Sequence, residues 1–149
     1  MSSKIGEIRK PEKLGVIFLI FKDGKILIED RKHPEKAYFG YKIVPGGKVE
    51  DDESFNTAVK RELLEECGIR PKGMINLDTF LHMTISNHLY YTAAYLITEY
   101  DGDVINNENK ADHVWVDINN AEKLLPFADS RYVLKLAKDK LISEGLIKD

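Results

Sequence analysis

The sequence predicts an α/β fold, a mixed β-sheet packed between helices in one domain. Three observations lead there. Leu14 to Phe21 is an unbroken apolar run rich in β-branched and aromatic residues, which reads as a strand buried on both faces. Further strand-length apolar segments follow, separated by turn residues. Two segments carry helix signals instead, from Asp51 or Asp52 to Cys67 and from Asp129 to about Glu144, each followed by glycine.

The elements follow in order. After the first strand, Asp23-Gly24 supplies a hairpin turn, and Lys25 to Arg31 is its partner strand. Residues 32–40 form a loop, and residues 41–45 a short strand ending at Pro45. Asp51 or Asp52 caps the first helix, and Gly68 sits where a left-handed glycine ends one. Two strands, about Met74 to Ile85 and His88 to Thr98, join near Ser86-Asn87. Residues 99–112 are a polar loop, residues 113–118 a last strand and residues 119–125 a short helix. Asp129 is expected to cap the final helix, which Gly145 stops.

Composition narrows the function classes. With 149 residues, 43% apolar and 32% charged, the chain is sized for one core, so 1–149 reads as a single domain with 1–12 a flexible or peripheral segment. A net charge of −3 offers no general basic footprint for nucleic acid. The single cysteine, Cys67, excludes an internal disulfide and fits a reducing compartment. The polar N-terminus lacks the apolar core of a secretory signal, and no apolar run is long enough for a bilayer. The expectation is a cytoplasmic protein with no membrane or nucleic-acid partner. A homodimer stays open.

The segment Gly46 to Ile69 crowds carboxylates onto its helix. At 100° per residue, Phe55, Ala58 and Val59 share a core-facing arc, and Glu62, Glu65 and Glu66 continue that arc. Lys60, Thr57 and Arg61 fall on the other side. A solvated acidic face belongs opposite the apolar one, and here it extends it. Carboxylates close together on a partly buried face repel and lose hydration. A hard divalent cation with oxygen ligands resolves both problems. Arg61 can also pair with Glu65 at i,i+4.

Gly47, Glu53, Arg61, Glu62, Leu63, Glu65, Glu66, Gly68 and Ile69 fit the pattern G-x5-E-x7-R-E-U-x-E-E-x-G-U without departure, U being apolar. This resembles the signature of the Nudix hydrolases. The resemblance implies an α/β/α sandwich with a mixed sheet, and Mg2+ or Mn2+ as cofactor. It implies hydrolysis of a nucleoside diphosphate linked to another moiety, a small-molecule nucleotide. Glu62 and Glu66 correspond to the usual metal ligands, with Glu65 a third candidate and the Gly46 carbonyl completing the site. Glu53 and Arg61 look like supporting residues. Glu65, Glu66 or Glu108 is a candidate base. Family members add an acidic residue from the loop before the last strand, for which Glu108 is first choice and Asp112 and Asp103 follow.

Within the family, the short chain tilts toward a MutT-type enzyme that cleaves a nucleoside triphosphate to the monophosphate and pyrophosphate. A nucleotide-sugar or ADP-ribose hydrolase is the alternative, and a non-catalytic nucleotide-sensing module the alternative of another class. Arg31 and Asp129 resemble substrate-contacting positions of MutT-type enzymes. Asp129 stands where those enzymes carry a base-reading Asn. A carboxylate only accepts hydrogen bonds, so it suits the two adjacent donors of guanine. Two decoys fail. The "GGK" stretch lacks the P-loop spacing, and His33, His82, His88 and His113 lack zinc spacing, reading as surface or packing residues.

Overall fold

The computed structural model describes residues 10–105 and 112–149. Glu108 and most of the 1–12 segment lie outside the described residues. Strands β1 (Lys13–Lys22), β2 (Lys25–Asp30), β3 (Lys42–Ile43) and β4 (Gly46–Lys48) precede helix α1 (Phe55–Glu62), which widens into a π-helical turn over Leu63–Cys67. Then come β5 (Arg70–Pro71), β6 (Ile75–Met83), β7 (Leu89–Ile97), β8 (Tyr100–Asp101), β9 (Asp112–Asp117), α2 (Ala121–Leu124) and α3 (Ala128–Ser143). The main sheet runs β3-β2-β1-β7-β6, with β4 also on β1 and β9 also on β2. Among the described residues only β1 and β7 pair in parallel within it, so the sheet is mixed.

The apolar run explains the layers. Alternate residues of a strand face opposite sides. Leu19 and Phe21 pack with Val133, Ala137 and Leu141 of α3, while Phe18 and Ile20 pack with Ala58 and Val59 of α1. β1 is therefore the buried spine of an α/β/α sandwich. Asp23 and Gly24 both take positive φ, as the hairpin requires.

Two expected caps are corrected. Ser54, not Asp51 or Asp52, caps α1; its hydroxyl accepts from the Thr57 N–H at 3.1 Å. Asp52 instead takes a positive φ in the turn before it. Phe127 holds the N-cap position of α3, and Asp129 lies one residue inside the helix. The side chain of Asp129 is drawn away by another partner.

Candidate active site

The glycines before α1 set the geometry. β4 pairs antiparallel with β1, Gly46 opposite Ile17 and Gly47 opposite Val16. A Cβ on Gly46 would sit 2.3 Å from the Val16 carbonyl oxygen. A Cβ on Gly47 would sit 2.3 Å from the Glu62 carboxyl carbon. The first glycine lets two backbones approach, and the second makes room for a carboxylate.

Arg61 is the hub of the acidic segment. Its Nε–H and Nη2–H donate to the two oxygens of Glu53 at 2.7 and 2.9 Å. Nη1 donates to Glu62 at 2.6 Å and to Glu65 at 3.3 Å, and Nη2 also donates to the Lys48 carbonyl at 2.8 Å. The helical wheel set Arg61 on the far side, but its long side chain reaches back over β4. Hydrogen bonds from Arg61, then one from the Glu50 N–H, bring the Glu53 carboxyl down to about 2. The same pairing with Glu53, followed by Glu62, raises the guanidinium further above its usual range, so it stays charged.

The three glutamates separate. Glu62 and Glu66 are 8% and 3% exposed, one turn apart on the inward face. The Glu65 side chain is 47% exposed and leans to Arg61. Among the described residues, no three His, Cys, Asp or Glu side chains form a group that could hold a metal ion. The donor chemistry nonetheless fits a hard divalent cation. Two buried carboxylates lie on one helical face, and Gly47 leaves space over one of them. Of the other expected contributors, Gly46 is at hand on β4. Asp112 is tied to Lys32 at 2.8 Å, and Asp103 lies beyond β8.

Beside β4 lies a cavity of about 210 Å³, lined by Gly46, Gly47, Lys48, Arg31 and Asp129 among others. It brings the two expected substrate residues to one space. Arg31 is held in place: Nη1 donates to Glu29 at 3.0 Å and Nε to the Ala37 carbonyl at 3.1 Å. Glu29 is only 2% exposed and also faces His113 at 3.6 Å. Asp129 accepts from the Ser130 N–H at 2.9 Å through one oxygen. Its other oxygen lies 3.0 Å from His82 Nδ1. Burial pushes the Asp129 carboxyl up, but His82 and the Ser130 N–H outweigh it, and the group ends below its usual value.

Sequence reasoning missed several cavity residues, among them Glu29, Tyr38, His82 and Thr92. Tyr38 holds a positive φ, accepts from the Ile85 N–H at 3.2 Å and stacks edge-on with Phe127. Its loop carried no periodic signal. Glu29 and His82 did: each is a polar residue within a strand otherwise rich in apolar side chains.

The family model of the NUDIX domain matches residues 11–136. The chain belongs to the NUDIX family. An 8-oxo-dGTP diphosphatase of Proteus vulgaris is 34% identical over 84 residues, 56% of this chain and 72% of that protein. An ADP-ribose pyrophosphatase of Methanocaldococcus jannaschii is 30% identical over 109 residues, 71% of this chain and 62% of that protein. The crystal structure of a MutT NUDIX hydrolase from Burkholderia pseudomallei superposes with a TM-score of 0.73 at 26% identity, covering 86% of this chain and 98% of that one. The α/β/α Nudix architecture expected from the sequence is the one observed, and the chain is a Nudix hydrolase with pyrophosphohydrolase relatives. No helix among the described residues is long and apolar enough to cross a membrane.

Proposed function

We propose that this Nudix hydrolase is a MutT-type nucleoside triphosphate pyrophosphohydrolase that prefers guanine nucleotides and releases the monophosphate and pyrophosphate. The observation that carries the reading is a cavity with an ionised Asp129 and a clamped Arg31 among its lining residues, bordered by Gly47, against which Glu62 packs.

Glu62 and Glu66, with Gly46, would hold Mg2+ or Mn2+. Such an ion supplies Lewis-acid chemistry, offsetting phosphate charge and acidifying water. The protein's own groups do the rest. Arg61 and Glu53 fix the Glu62 carboxylate. Glu65, half in solvent, takes the proton from the attacking water or relays it through Glu66. Arg31 presents the free edge of its planar fork to phosphate or base. Asp129 accepts from the adjacent N1–H and N2–H donors of guanine. Adenine offers one donor beside an acceptor, which meets the carboxylate unfavourably.

The test is kcat/KM for matched guanine and adenine triphosphates. The expected preference is roughly ten-fold or more for guanine, and Asp129→Ala removes it. Equal values for the wild type reject the guanine reading. The M. jannaschii relative supports a second reading, an ADP-ribose hydrolase. AMP and ribose 5-phosphate as the faster products would favour it.

A further inference from the structure

We propose that His82 is a positioning residue for substrate choice, fixing the Asp129 carboxylate as a two-oxygen acceptor turned to the cavity. The proposal rests on the reading of Asp129 as the base-contacting group.

His82 lies on β6 and is suspended between two partners. Its Nε2 is 2.8 Å from Thr92 Oγ1 on β7, and its Nδ1 is 3.0 Å from Asp129 Oδ2 on α3. Nδ1 is buried and, among the described residues, makes no hydrogen bond of good geometry; the Asp129 carboxylate is the charged group set beside it. His82 pairs with Tyr90 across the strands, which makes Thr92 its diagonal neighbour. Gly15 on β1 leaves the space: a Cβ there would come within 3.0 Å of Thr92 Oγ1 and of the Tyr90 ring. His82, Thr92, Tyr90, Gly15 and Asp129 all line the same cavity.

The chemistry of the partners fixes the proton. An ionised carboxylate accepts only, so Nδ1 carries the hydrogen. In the neutral ring Nε2 is then an acceptor, and the Thr92 hydroxyl donates to it. The Ser130 N–H donates to Oδ1 at 2.9 Å, and the His82 ring sets Nδ1 3.0 Å from Oδ2. The carboxylate plane cannot turn without giving up one of these two contacts. A fixed pair of acceptors selects a ligand edge with two adjacent donors. A rotating or protonated carboxyl does not select it. Without the Thr92 hydroxyl the ring can adopt its other tautomer, which presents a lone pair to a carboxylate.

Two measurements on the full-length protein decide the matter. Long-range proton–nitrogen NMR reads the imidazole tautomer directly, without substrate. The expected result is Nδ1–H in the wild type at neutral pH; an Nε2–H tautomer overturns the proposal. Steady-state kinetics reads the consequence. His82→Ala lowers the guanine-to-adenine ratio of kcat/KM by roughly ten-fold, chiefly through KM for guanine. His82→Asn, whose amide nitrogen stands near the place of Nδ1, holds the ratio within about two-fold of wild type. The His82→Ala, Asp129→Ala double variant matches Asp129→Ala alone. A His82→Ala variant that loses thermal stability but keeps the ratio overturns the proposal. If Asp129→Ala itself leaves the ratio unchanged, the base-reading role fails instead, and the tautomer alone decides whether His82 holds the carboxylate.

Discussion

Arg61 grips Glu53 with two parallel hydrogen bonds, Nε–H to Oε2 at 2.7 Å and Nη2–H to Oε1 at 2.9 Å. The remaining donors of the same guanidinium reach Glu62 and the Lys48 carbonyl, so one planar group ties the loop, β4 and α1 together. The Glu53 carboxyl is depressed to about 2 from an ordinary 4.5. A carboxyl depressed on folding stabilises the fold above its unfolded pKa and loses that contribution as pH falls through its folded one. The Tm gap between wild type and Glu53→Gln should therefore be constant above about pH 5 and shrink as pH falls from there toward 2. A gap unchanged at about pH 3 contradicts this pairing.

The adjacent glycines should fail in different ways. In Gly46→Ala the new methyl meets the Val16 carbonyl, and the backbone itself must shift. The expected cost is about 2 kcal/mol or more of stability, measured by denaturant unfolding. In Gly47→Ala the methyl meets the Glu62 carboxylate, the movable end of a side chain. Stability should suffer less, while turnover falls on the order of a hundred-fold. Equal stability losses with equal activities would remove Gly47 from the site.

Glu62→Gln and Glu66→Gln should each fold and lose most activity, because an amide oxygen is a poor ligand for a hard cation. Turnover should fall below about a tenth of wild type at saturating Mg2+. A variant above that level is not a principal ligand.

Arg31→Lys keeps a positive charge beside the buried Glu29 and removes the fork. KM on the true substrate should rise clearly with Tm nearly kept. An unchanged KM makes Arg31 a partner of Glu29 and nothing more.

Much of this was legible in the residues. The apolar run announced two-sided burial, which holds from Gly15 to Phe21, while Leu14 at its start is 42% exposed; Asp23-Gly24 and Gly68 marked their turns through the backbone freedom they require. The helix arc through Ala58, Val59, Glu62 and Glu66 was readable from periodicity. Glu65 was not, since a 100° step places it near the arc but Arg61 pulls it outward. Asp129 looked like a cap because local spacing allows it. The competing partner, His82, is 47 positions earlier in the chain and only the sheet brings it near. β4 was missed because "GGK" has neither apolar alternation nor β-branching, and it forms a strand only against β1.

Phosphorus-31 NMR of the products from GTP or dGTP, with purified full-length protein and Mg2+, examines the central claim most directly. The account predicts nucleoside monophosphate and pyrophosphate in equal amounts, abolished in Glu66→Gln. Orthophosphate with the nucleoside diphosphate as first products, or no turnover of any triphosphate while ADP-ribose is cleaved, would contradict it.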